Sequence, residues 1–116
     1  MHQTIKNLNS IKKELELINN KVPSIIAVSK TFPISNILPL IKNGHMHFGE
    51  NKVQEALEKW SNIKNEFNNV KLHMLGKLQT NKVKNAVEIF DYIHSLDNLK
   101  LANKLAKEIH EKNKEI

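Results

Sequence analysis

Apolar positions along this chain recur in two periods, and the order in which the periods alternate predicts the architecture. Ile5, Leu8, Ile11, Leu15 and Ile18 fall at helical spacing among lysine, glutamate and asparagine, which predicts a leading helix from Ile5 to Asn20. Pro23 ends that stretch. The short run Ser24 to Ser29 is apolar, β-branched and bounded by Pro23 and Lys30, so it reads as a buried strand. A short helix is expected from Ser35 to Asn43, with Ser35 as its cap, Pro39 in its early part and Gly44 as its stop. His45 to Phe48 reads as a second strand. The helix after it runs from Lys52 to Glu66, with Val53, Ala56, Leu57, Trp60 and Ile63 along one side. Lys71 to Leu75 alternates as a third strand, GKLQT turns, and Asn81 to Ile89 forms the next helix. Tyr92 to Ser95 is the fourth strand. Asp97 caps a last helix whose stripe is Leu101, Ala102, Leu105 and Ile109.

The pattern is one helix followed by four βα units, which implies parallel strands joined by right-handed crossovers. Two architectures satisfy it: an open doubly wound sheet, and part of a βα barrel. No glycine-rich phosphate loop follows the first strand, which leaves the dinucleotide and P-loop versions of the open sheet without support. The 116 residues are read as one domain, 1–116. They fall short of the roughly 200 residues that a complete eight-stranded barrel needs.

Charge narrows the choice of partners. All 18 cationic side chains are lysine, against 12 carboxylates, for a net charge of +6. A basic chain attracts anions such as phosphorylated small molecules or nucleic acid. Without arginine, and with 5% aromatic residues, a nucleic-acid interface lacks its usual phosphate and base readers. The absence of cysteine excludes disulfides and thiolate chemistry and fits a cytoplasmic protein. No apolar run is long enough for a signal peptide or a membrane span, so no membrane partner is expected.

Polar residues cluster where strands are expected to end. Lys30 closes the first strand, at the carboxyl edge where βα proteins place their sites. A partly desolvated lysine there would supply the neutral amine that attacks an aldehyde. A lysine whose stem merely covers the strand end is the commoner arrangement. Asn51 follows the second strand, either as a side-chain amide for a ligand or as an N-cap completed by Gln54. His73 lies within the third strand, where packed histidines outnumber catalytic ones. Gly76 after it either admits a ligand close to the backbone or only makes the turn. His94 and Ser95 end the fourth strand at the same edge. Thr80 reads as the cap of the helix that carries Lys82 and Lys84. His45, His47, His73 and His94 have no zinc-ligand spacing, so no metal is expected.

Four segments taken together are more specific than any one. IIAVSKTFP, HFGENKVQEALEKW, LHMLGKLQTNKVKNAV and FDYIHSLDNLKLANKLA occur in that order from Ile25 to Ala106. They resemble the pyridoxal phosphate homeostasis protein family, single-domain relatives of the alanine racemase barrel. The resemblance implies a (β/α)8 barrel with a leading helix, here truncated to about four βα units, the N-terminal half. It implies pyridoxal 5'-phosphate as the cofactor, with Lys30 of the AVSK motif as the Schiff-base lysine. Asn51 of the GEN motif then lies close to the cofactor, with His73, Gly76, His94 and Ser95 lining its pocket.

The function implied is cofactor carriage and homeostasis without robust catalysis. Leu72, Met74, Lys52 and Asn98 depart from residues usual in the family at the margin of that pocket. The family's phosphate loops and its arginine at the pyridine nitrogen belong to the second half of the barrel. This chain alone is therefore expected to retain the cofactor weakly. Four parallel strands would leave two unpaired edges and an uncovered inner face, so it is expected to dimerise, to pair with a separately encoded second half, or to be unstable. A racemase-like enzyme would require a second base opposite Lys30, and no residue here carries that assignment. A basic interaction module is the remaining alternative.

Overall fold

The computed structural model describes residues 2–18 and 23–116. Helix α1 spans Gln3–Ile18, so its predicted last turn, at residues 19 and 20, lies outside the described residues. Four βα units follow. They are β1 (Ala27–Val28) with α2 (Ile34–Lys42), and β2 (His47–Glu50) with α3 (Val53–Glu66). Next come β3 (Lys71–Met74) with a 3-10 turn at Thr80–Lys82 and α4 (Val83–Ile89), and then β4 (Tyr92–Ile93) with α5 (Leu99–Lys112).

All four strands pair in parallel in the order β1-β2-β3-β4. This order decides between the two architectures. A doubly wound sheet reverses its order at a switch point, whereas a barrel never does. A sheet that never reverses also keeps all its right-handed crossover helices on one side. The core lies on that side. Phe48, Leu72 and Met74 point from the strands toward the helices, and all three are buried with Trp60, Val83, Ala86, Val87, Phe90 and Leu101. The rings of Phe48 and Trp60 lie 5.1 Å apart. Alternate residues point the other way, onto the face that a closed barrel would enclose.

Several sequence expectations need correction at element ends. β1 is two residues rather than six, because only Ala27 and Val28 meet the ladder of β2. β2 begins two residues later than expected and reaches Glu50. The predicted caps Ser35, Asn51, Thr80 and Asp97 do not cap: the N-cap positions belong to Pro33, Lys52, Gln79 and Asn98. Of these four only Asn98 makes a side-chain cap, accepting a hydrogen bond from the Leu101 N–H at 2.8 Å. Gln54 bonds Glu58 along α3 rather than completing a capping box. Pro39 stands deeper in α2 than expected, since that helix starts one residue before Ser35. Gly44 does end α2 as predicted. With φ +95 it lets the His45 N–H return to the Leu40 carbonyl and its own N–H to that of Ile41, which is a Schellman closure.

Candidate functional site

The carboxyl ends of the four strands bring the predicted residues to one rim. The register pairs Val28 with Gly49, Gly49 with His73, and His73 with Tyr92. The ladder continues past the strands through Leu75 N–H to the Glu50 carbonyl and His94 N–H to that of Met74. Lys30, Asn51, Leu75 and His94 therefore follow one another across the sheet edge, each two residues beyond a residue of the first row. By the same alternation Leu75 and His94 belong to the face away from the helices, while Lys30 stands in the turn that follows β1.

Lys30 sits in the turn just after β1 and is exposed, not partly desolvated as its sequence context suggests. It makes no hydrogen bond or ion pair with the described residues. Asn51 is partly buried, and its Oδ1 is buried without a partner. Gly76 packs on Asn51: a Cβ there would lie 2.5 Å from the Asn51 carbonyl oxygen, so the close approach that glycine permits is to the chain itself. Ser95 donates its hydroxyl to the Gly76 carbonyl. Asn51, Gly76 and Ser95 thus form a connected patch over β2, β3 and β4.

His73 and His94 are joined more directly than their sequence positions suggest. His73 Nδ1 lies 2.9 Å from His94 Nε2, and His73 Nε2 lies 3.0 Å from Nδ1 of His47. Tyr92 stacks on the His73 ring at 4.4 Å and 9°. One neutral tautomer of His73, donating on one side and accepting on the other, satisfies both contacts. Burial foremost, with the adjacent His47 and His94 rings adding to it, lowers the His73 pKa to about 4. The three rings form a line across the strands, and among the described residues no group of three potential ligands is placed to hold a metal ion.

Sequence reasoning missed His47 and Tyr92. Their place follows from strand parity, since Tyr92 lies two residues from His94 and His47 four residues from Asn51, an even separation in each case. It also missed the polar network behind β1. Glu50 is fully buried and accepts from Ser29 Oγ, from Lys59 Nζ at 3.1 Å and from Trp60 Nε1 at 3.2 Å. Lys59 also bonds the Ser29 carbonyl at 2.7 Å and pairs with Glu55 at 3.1 Å. The i,i+4 spacing of Glu55 and Lys59 is the signal that was available.

No family model matches the chain. Curated relatives do. The pyridoxal phosphate homeostasis protein of Haemophilus influenzae is 39% identical over 105 residues, covering 85% of this chain and 44% of the relative. That of Synechocystis is 41% identical over 101 residues, covering 85% and 46%. That of Vibrio cholerae is 32% identical over 116 residues, covering 93% and 49%.

The chain is similar to the N-terminal half of these pyridoxal phosphate homeostasis proteins. It spans about half the length of the curated relatives it matches. Among solved structures, PipY of Synechococcus elongatus is 40% identical and superposes with a TM-score of 0.74 without PLP and 0.73 with PLP bound. It is covered to 49% and 50%, against 90% and 89% of this chain. An unknown protein from Bifidobacterium adolescentis, at 22% identity and a TM-score of 0.79, shares the fold.

Proposed function

We propose that this chain binds pyridoxal 5'-phosphate through a Schiff base at Lys30 and serves cofactor homeostasis rather than catalysis. The observation that carries the reading is the exposed amine of Lys30, without a partner among the described residues, at the carboxyl end of β1 on one rim with Asn51, Gly76, His94 and Ser95. Its kinship with PipY, whose structure has PLP bound, supports the same reading.

The residues present fit the aldehyde and ring end of the cofactor. Lys30 offers an accessible amine, and the unpartnered Asn51 Oδ1 offers an acceptor for a donor on the ligand. Asn51, His73, Gly76, His94 and Ser95 would form the wall beside it. The phosphate end has no such counterpart, since the glycine at this rim is packed against Asn51. Pyridoxal phosphate supplies an electron sink when bound, and positioned acids and bases must exploit it for turnover. The strand histidines bond one another instead, which favours carriage over catalysis.

The sheet gives a reason for partnership. β1 and β4 each present an edge unpaired among the described residues, and the face opposite the helices is open. On this reading residues 1–116 act as one partial barrel domain, completed by a second copy or a separately encoded half.

The cofactor assignment is tested by mixing the chain with pyridoxal phosphate, reducing with borohydride and mapping the adduct by mass spectrometry. Preferential labelling of Lys30, lost in Lys30→Ala, is the expected result. Even labelling of the lysines would reject it.

A further inference from the structure

The polar network behind β1 reaches the rim on both sides of Lys30. Ser29 to Phe32 is a tight turn, closed by the Phe32 N–H on the Ser29 carbonyl at 3.2 Å, with Lys30 and Thr31 at its corners. Thr31 has φ +65. A turn with positive φ at its third position ordinarily takes glycine or asparagine there, and a β-branched residue in that region is strained. Such a conformation persists only where its surroundings impose it. Here they do: the Thr31 N–H donates to Glu55 Oε2 at 2.7 Å. On the other side of Lys30, the Ser29 carbonyl accepts from Lys59 Nζ at 2.7 Å, and the Ser29 N–H donates to the Gly49 carbonyl at 2.9 Å. Lys59 in turn is held between Glu50 and Glu55, at 3.1 Å from each.

We propose that Glu55 and Lys59 are positioning residues for Lys30, clamping the turn that presents its amine to the rim. The proposal rests on the reading of Lys30 as the attachment point for an aldehyde cofactor. Neither residue touches that amine. Each holds a peptide group adjacent to it, and together they tie the turn to the first two turns of α3. The hydrogen bond from Thr31 is charge-assisted, which makes it one of the stronger kinds available to a surface turn. Without it the Thr31 backbone relaxes toward negative φ, and the Lys30 side chain loses its fixed direction.

The test uses the full chain carrying Glu55→Ala, Glu55→Gln or Lys59→Met, with two measurements on each. One is the rate of borohydride-trapped pyridoxal phosphate labelling at Lys30, expressed relative to the other lysines. The second is amide hydrogen exchange of the 28–33 backbone. Glu55→Ala and Lys59→Met are expected to lower relative labelling by about tenfold and to speed exchange at Thr31 by a similar factor, as fits the loss of one charge-assisted bond. Glu55→Gln keeps an acceptor oxygen for the Thr31 N–H and is expected to restore much of both. A merely structural loss at α3 would not be rescued in this way. Unchanged exchange and unchanged relative labelling in Glu55→Ala and Lys59→Met would overturn the proposal. If the unmodified chain labels Lys30 no faster than other lysines, the cofactor reading fails instead. Exchange at Thr31 then decides the clamp by itself, and an unchanged rate rejects it.

Discussion

At the scale of single residues, two positions on the rim make sharp predictions. Gly76 lies so close to Asn51 that an added methyl group must push backbone against backbone. Gly76→Ala is therefore expected to destabilise the chain by about 1–3 kcal/mol. A lower urea midpoint at unchanged m-value would show it. Gly49→Ala is the control, because the nearest atom there is Cδ1 of Leu75, the end of a flexible side chain.

His73 makes the second prediction. Its proton is bound less tightly in the folded chain, with a pKa of about 4 against an ordinary 6.5. The unfolded chain therefore takes up the proton first as pH falls. The stability linked to this group is present above pH 6.5 and is lost as pH falls through the folded value near 4. The full shift corresponds to an upper bound of about 3 kcal/mol. Denaturant titrations between pH 7 and pH 4 are expected to show this loss, and His73→Gln to flatten it. An equally steep loss in that variant would assign the effect elsewhere; the carboxylates Glu55 and Asp91 act only toward and below pH 4. Their pKa values are lowered as well: burial would raise them, but Lys59 with the Thr31 amide, and Lys64 with the Leu72 amide, outweigh it.

At the scale of elements, the helix stripes and strand cores were legible because they are periodic over many residues. Trp60, Ala56 and Val53 were placed on the buried side of α3, and all three are buried. The N-caps were not legible. A cap depends on one backbone angle, and a short polar side chain near a helix start is a weak indicator of which residue adopts it. For α5 the difference is testable. Asn98 and not Asp97 receives the Leu101 N–H. Asn98→Ala is expected to cost about 1 kcal/mol, while Asp97→Ala changes thermal stability little. The reverse order would restore the sequence-based assignment. The lengths of β1, β3 and β4 were overestimated and β2 was displaced for a related reason: an apolar run marks burial, whereas strand ends are fixed by which neighbour supplies the ladder.

At the scale of the whole molecule, the sheet buries one face under helices and, among the described residues, leaves the other open between two unpaired edges. The relatives are about twice as long, which matches a half barrel in size. Edge strands and an open face favour association. Sedimentation of the chain over a range of concentrations is expected to show self-association or, with a separately supplied second half, a heterodimer. A monomer that stays soluble at every concentration and binds no second half would refute this.

The order of apolar periods in the sequence determined the βα alternation, the leading helix and the strand-end position of Lys30, since each is a property of consecutive residues. Only the tertiary structure decided the rest. The sheet never reverses its order, three histidines from different strands share one line of contacts, and two side chains of α3 grip the turn around Lys30. These facts join residues some twenty to thirty positions apart, and a distance of that kind is set by packing and register rather than by local preference.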